Sequence, residues 1–118
     1  LRELIEKALV RVSAADRKEA VKKSCARTFQ ALRIDVNSEF EVLEAFLQKL
    51  PDVLNQGGRV AVLTFHSGED RLVKKSFKEN VKAGIYSEAA KDVIRPSAEE
   101  CRCNSRAHST KLRWAVRS

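Results

Sequence analysis

The most constraining feature of this sequence is a continuous β-prone run, Arg59–Phe65, in which apolar and polar side chains do not alternate. A strand of this kind is typical of a position buried on both faces, as in the parallel sheet of an α/β fold. The turn that follows, His66-Ser67-Gly68, leads into a predicted helix, with Ser67 and Asp70 at capping spacing. The other strand-like segments are too few to flank such a strand, so part of its sheet is expected to be missing from this chain.

Helical periodicity precedes the strand. Leu1–Leu9 has the spacing of an amphipathic helix, and Ser13 is expected to cap a second, short basic helix that ends near Lys23. A third helix is predicted over Ala26–Asn37.

A further helix is predicted to begin at Ser38, because Glu41 stands three residues on in a capping-box pattern. Pro51 lies inside its apolar pattern and is expected to kink or restart it. Asn55-Gln56-Gly57-Gly58 is expected to be a turn rather than a phosphate loop, since it precedes a strand instead of joining a strand to a helix.

The helix after the strand has two faces. A buried face is predicted from Leu72, Val73, Phe77 and Val81, and a basic stripe from Arg71, Lys74, Lys75, Lys78 and Lys82. Farther on, Lys91–Ile94 is expected to be a short strand, residues 97–106 irregular, and Lys111–Arg117 a half-buried alternating strand.

Charge points to a polyanionic partner. Lys and Arg number 23 against 16 Asp and Glu, a formal net charge of +7. Residues 101–118 carry five basic residues and no acid: Arg102, Arg106, Lys111, Arg113 and Arg117. Together with the basic stripe they favour a groove that follows an RNA backbone, the alternative being an ordinary solvated surface.

Other classes of site have weaker support. Ser67 lacks the flanking glycines of a hydrolase nucleophile elbow, so a capping role is favoured. Cys101, Cys103 and His108, with Cys25, lack the spacing of a zinc site, so no metal is predicted and a reducing compartment is expected. No apolar run approaches the roughly 20 residues that span a bilayer, so no membrane partner is expected.

Three segments resemble one family: residues 26–39 (ARTFQALRIDVNSE), residues 57–75 (GGRVAVLTFHSGEDRLVKK) and residues 104–113 (NSRAHSTKLR). They are similar to the MraW/RsmH family, which methylates the exocyclic N4 of a cytidine in small-subunit ribosomal RNA. The resemblance extends from about residue 26 to the end, and residues 1–25 resemble the end of that family's helical insertion more loosely.

The resemblance implies the C-terminal part of a class I (Rossmann-like) methyltransferase sheet with flanking helices, over residues 26–118. Arg59–Phe65 would be its fifth strand, Lys91–Ile94 a short sixth and Lys111–Arg117 the antiparallel last strand. The family's S-adenosylmethionine loop, its ribose-binding acid and its catalytic loop are expected upstream of this chain. No cofactor ligand and no catalytic residue are therefore assigned here.

The residues that the resemblance assigns to the RNA side fall in three groups. The first is Arg27, Gln30, Arg33 and Asn37 on the first motif helix. The second is the turn after the buried strand: His66, Ser67, Glu69, Asp70 and Arg71. The charge of the basic stripe, not the resemblance, adds Lys74, Lys75 and Lys78 as candidates for RNA binding. The third is Asn104, Arg106 and Lys111, expected to close the site or hold phosphates. An ion pair of Glu69 or Asp70 with Arg71 is the structural alternative.

The chain departs from the family pattern at Gly68, where the family tends to have Leu, at Ser105 for a usual Pro and at His108 for a usual Arg. These departures are compatible with an organellar member, so the compartment is expected to be the cytoplasm of a bacterium or a chloroplast or mitochondrion. The alternative function is a non-enzymatic RNA-binding module that retains the family's C-terminal motifs.

Overall fold

The computed structural model describes all 118 residues, which divide into two compact units, Leu1–Glu39 and Phe40–Ser118. In the first unit, helix α1 spans Arg2–Ala8 and helix α2 spans Ala14–Asn37. The predicted boundary between domains after residue 25 falls inside α2 and stays a prediction.

The prediction of two separate helices between residues 13 and 37 was wrong, because α2 runs through Ser24 and Cys25 without a break. Neither Gly nor Pro occurs within α2, so nothing in the backbone chemistry ends a helix there. The Thr28 hydroxyl donates a hydrogen bond to the Ser24 carbonyl at 2.8 Å, a bond typical of a helix interior.

Ser38 separates α2 from the next helix. It adopts a left-handed conformation with a φ of 50°, and its N–H donates to the Asp35 carbonyl at 3.2 Å. Ser38 therefore ends α2 rather than opening a capping box. Helix α3 begins at the following residue and spans Glu39–Val53. It continues through Pro51 without restarting and ends two residues later.

The sheet has three strands, β1 (Arg59–Thr64), β2 (Tyr86–Ala89) and β3 (Lys111–Arg117), in the order β1-β3-β2. Both pairs are antiparallel, which confirms the antiparallel last strand. The expectation that β1 is buried on both faces was wrong for this chain. β1 lies at the edge of the sheet. Only one of its faces is covered, and Leu63 on the other face is 52% exposed.

The two faces of the β1–β3 pair differ in their cover. Residues opposite each other in an antiparallel pair point to the same face. Val62 lies opposite Arg113 and Val60 opposite Ala115, and this face packs on the helices. The other face is apolar and partly open, and it carries Ala61, Leu63, Leu112, Trp114 and Val116.

Helix α4 spans Ser67–Lys82 and provides the centre of the core. Val73 and Phe77 are buried as predicted, whereas Val81 is exposed. The Phe77 ring meets the buried Tyr86 ring edge to face, with centroids 5.7 Å apart. The core cluster joins α3, α4, β2 and β3 through Leu47, Leu50, Val73, Phe77, Tyr86 and Ala115.

The segment after α4 differs from the prediction. Gly84, with a φ of 75°, allows a tight turn directly into β2, so the strand precedes the predicted Lys91–Ile94. Ile94 makes only an isolated bridge to Leu112. The predicted irregular region contains helix α5 (Ala98–Cys103) and a short 3-10 helix (Ser105–Ser109).

None of the helices combines the length and the apolar composition needed to cross a bilayer.

Candidate functional site at the carboxyl end of the first strand

The turn after β1 lies beside the start of β3. Thr64, the last residue of β1, is opposite Lys111, and its hydroxyl donates to the Lys111 carbonyl at 3.4 Å. This pairing brings residues 65–70 next to the segment that enters β3. Residues 65–70 and the start of β3 together form a region that we call the corner. It contains several predicted residues from the second and third groups.

His66 caps helix α4. Its Nδ1 accepts a hydrogen bond from the Glu69 N–H at 3.4 Å, so the predicted capping role of Ser67 was wrong by one residue. A ring nitrogen can accept only when it carries no proton, so this hydrogen bond requires the tautomer with its proton on Nε2. The His66 side chain is only 13% exposed, and Nε2 makes no hydrogen bond, although Glu69 Oε1 lies 3.5 Å away.

Glu69 closes the turn on its other side. Its Oε2 accepts a hydrogen bond from the Phe65 N–H at 3.1 Å, which ties the end of β1 to the first turn of α4. Both the backbone and the side chain of Glu69 are thus used within the turn.

Asp70 forms an ion pair with Arg113 of β3, not with Arg71. Arg113 Nε donates to Asp70 Oδ1 at 2.6 Å, and Nη2 donates to Oδ2 at 3.1 Å. Both side chains are largely buried, 13% and 8% exposed. The hydrogen bond from Arg113 lowers the pKa of the Asp70 carboxyl, burial opposes this, and the charges of Arg113, Lys111 and Lys74 lower it further.

Arg113 is the residue of this corner that the site prediction left out. The sequence placed it in the basic tail, where a solvent-facing phosphate contact was expected. The signal that could have identified it is its position two residues before Ala115, which puts both on the same face of β3. Arg117 is also used internally, because it donates to the carbonyls of Pro51 at 3.1 Å and Ile85 at 2.8 Å.

The basic stripe keeps its charges free. Its members lie along the solvent face of α4, and none of them takes part in an ion pair: Arg71, Lys74, Lys75, Lys78 and Lys82. Unpaired, exposed cations in a row are available to neutralise phosphates. Lys74 and Lys111 are both close enough to Asp70 to influence its carboxyl, so the stripe is continuous in charge with the corner.

The third predicted group lies before and within β3. Asn104 Oδ1 accepts from the Arg106 N–H at 3.1 Å and thereby caps the short 3-10 helix. The side chain of Arg106 is exposed, and that of Lys111 is half-buried. Asn104 thus has a local structural role, whereas Arg106 keeps its charge available.

The first predicted group lies on α2 of the first unit. All four side chains are exposed there: Arg27, Gln30, Arg33 and Asn37. Arg33 Nε is 3.2 Å from Glu39 Oε1, an exposed ion pair that contributes little to stability.

The geometry supports neither a serine nucleophile nor a metal site. Ser67 makes no hydrogen bond to a base, and His66 Nδ1 is occupied by the helix N–H, so no nucleophile–base pair exists. The three cysteines are free, and no group of three His, Cys, Asp or Glu side chains is placed to hold one metal ion.

A nucleotide cofactor needs backbone that it can approach closely, and the glycines here do not provide it. An added Cβ on Gly68 would lie 2.9 Å from Phe40 Cζ, so the space beside it is already filled. Gly57 and Gly84 lie in turns with positive φ, away from any turn that leads from a strand into a helix. The glycines of this chain therefore offer no such approach at a turn from a strand into a helix.

Comparison with known proteins places the sequence of this chain in a family. The family model described as the MraW methylase family matches residues 1–118. The chain is 69% identical over its whole length to ribosomal RNA small subunit methyltransferase H 1 of Lachnoclostridium phytofermentans, covering 32% of that protein. It is 64% identical, again over its whole length, to the protein of the same name from Agathobacter rectalis, covering 34% of it. The chain thus spans about a third of the length of these curated relatives.

Proposed function

The chain belongs to the MraW methylase family, and we propose on this basis that it is part of an S-adenosylmethionine-dependent methyltransferase acting on small-subunit ribosomal RNA. The methyl acceptor we propose is the N4 amino group of a cytidine. The observation that carries the proposal is the family match along all 118 residues, together with near relatives named as ribosomal RNA small subunit methyltransferases.

Within that protein, we assign this segment to the completion of the sheet and to the RNA side of the site. The partly open apolar face with Leu63 and Trp114 supports a larger, class I (Rossmann-like) sheet covered on both faces, since such faces are usually packed in a complete domain. The chain's share of its relatives' length leaves about two thirds of such a protein to supply that cover. The cofactor would be held there as well, because the glycines of this chain offer no site for it.

The proposed reaction does not require a strong general acid or base from this segment. Transfer to an exocyclic amine depends on the orientation of the amine and on the exclusion of water. The turn from Phe65 to Asp70 suits an orienting role, because its position is fixed by the hydrogen bond from the Phe65 N–H to Glu69 and by the ion pair of Asp70 with Arg113 of β3. Carboxyl ends of strands are also where open α/β sheets bind ligands.

The basic stripe supports the choice of RNA. Its free cations lie on the helix that begins at this turn, so an RNA strand held along α4 would lead a base toward the corner. The predicted groups on α2 and around Arg106 are proposed to contact the same RNA. A ribosomal substrate implies the bacterial cytoplasm or an organelle that contains ribosomes.

The test is a methyl-transfer assay with the whole protein, S-adenosylmethionine and small ribosomal subunits that lack the modification. The RNA is digested to nucleosides and analysed by mass spectrometry. New N4-methylcytidine is the expected result. A different methylated nucleoside would overturn the N4 assignment, and salt-dependent RNA binding without any methylation would favour the RNA-binding module.

A further inference from the structure

Gly68 lies in the first turn of α4, and glycine is a poor helix former. Its φ is not positive, so the backbone conformation does not require it. The lack of space around it does require a glycine, because an added Cβ would lie 2.9 Å from Phe40 Cζ and 3.1 Å from His66 Nδ1. Gly68 is therefore kept small by two rings, one from α3 and one from the turn.

The two rings also touch each other. Phe40 and His66 meet edge to face, with centroids 5.9 Å apart and planes at 65°. The imidazole is thus held by Phe40 on one side and by its bond to the Glu69 N–H on the other. A ring confined in this way keeps one orientation and one tautomer, with its proton on Nε2.

We propose that Phe40 is a positioning residue of this protein. Through the space left by Gly68, it fixes the His66 imidazole and with it the first turn of α4, the part of the site proposed to orient the acceptor base. The expected effect on the rate of methyl transfer rests on the proposed function, whereas the effect on the His66 ring does not.

The test compares Gly68→Ala, Phe40→Leu and the double variant in the whole protein. In Gly68→Ala the new methyl group crowds both rings and displaces His66, whereas in Phe40→Leu the imidazole loses the ring that confines it. We expect each substitution to lower kcat for methyl transfer by about 10- to 100-fold with little change in KM. Because both act through the same imidazole, the double variant should lose less than the product of the two single effects. Phe46→Leu is the control, since Phe46 lies on the same helix but is exposed.

The second measurement is the ¹⁵N NMR spectrum of His66, identified by the loss of its signals in His66→Gln. The wild-type protein should show the single tautomer protonated on Nε2, and Phe40→Leu and Gly68→Ala should each show a mixture of tautomers. The proposal is overturned if Phe40→Leu leaves these signals unchanged, or if the kinetic effects of the two substitutions multiply independently. Absence of methylation in the wild-type protein would refute the proposed function, while the nitrogen signals would still decide the role of Phe40.

Discussion

Asp70 and Arg113, 43 positions apart in the sequence, form a two-bond ion pair that joins the first turn of α4 to the middle of β3. Neither side chain has another strong partner, and both are largely removed from water. A buried pair of this kind need not add stability over an apolar pair, but breaking it leaves one charge unpaired. The corner that holds the proposed site therefore depends on both residues together.

We expect Arg113→Met to lower the free energy of unfolding by about 3–5 kcal/mol, because it leaves the Asp70 carboxylate buried without its partner. Arg113→Lys should recover only part of the loss, since an ammonium cannot donate two parallel bonds. Urea denaturation measures both. Arg71→Met, an exposed arginine one residue from Asp70, is the control and should change stability by no more than about 0.5 kcal/mol. Equal losses at both positions would contradict the role given to the pair.

The same pair predicts a dependence on pH. The pKa of Asp70 is lowered in the folded protein, chiefly by the hydrogen bond from Arg113. Its contribution is therefore fully present above the ordinary carboxyl pKa of about 3.9 and is lost as the pH falls from there through the lowered folded value. Asp70→Asn should be less stable than wild type at neutral pH, and the difference should shrink below about pH 4. A constant difference from neutral to acidic pH would show that the carboxylate charge is not involved.

The sequence predicts the elements of this corner better than it predicts their contacts. The pattern of Arg59–Phe65, the turn and the following helix was confirmed to within one residue. The sequence predicted Ser67 as the cap of α4, because serine is preferred at that position. In the structure His66 is the cap, since an unprotonated ring nitrogen can accept the Glu69 N–H equally. Alternation in β3 identified two faces but not which one meets α4, and the inner face is the one that carries Arg113.

Other features depended on distant partners that a local pattern does not contain. The cover of β1 could not be predicted, because a continuous apolar run does not reveal how much of its sheet is present. β2 was missed because Tyr86–Ala89 is short and its pairing with β3 is non-local. The basic tail looked uniform in sequence, but Arg113 and Arg117 bind inside the fold while Arg106 stays exposed.

Tyr86 offers a test of the core. Its hydroxyl is buried without a hydrogen-bond partner, and burial raises the pKa of the phenol, with Arg117 partly opposing the shift. A raised folded pKa means that stability is full below the ordinary phenol pKa of about 10 and is lost as the pH rises through the folded value. Tyr86→Phe should abolish that alkaline loss, and at neutral pH it should be neutral or stabilising by about 1–3 kcal/mol.

The measurement is urea denaturation of both proteins from neutral pH to above the phenol pKa. Tyr86 is the single tyrosine of this chain, so in the 118-residue chain its ionisation can also be followed directly by ultraviolet absorbance. A phenol that titrates at its ordinary pKa while the protein stays folded would contradict the burial described here.

The basic stripe makes a prediction about RNA binding by the whole protein. Each phosphate neutralised by a lysine contributes about 0.7–0.9 to the slope of log K against log salt concentration. Replacing Lys74, Lys75 and Lys78 together by alanine should therefore reduce the magnitude of that slope by about 2–3 for small-subunit ribosomal RNA. The charge-matched control replaces Lys7, Lys18 and Lys22, exposed lysines of the first unit outside the predicted RNA groups. If both triple variants reduce the slope equally, the effect is one of net charge, and α4 does not follow the RNA backbone.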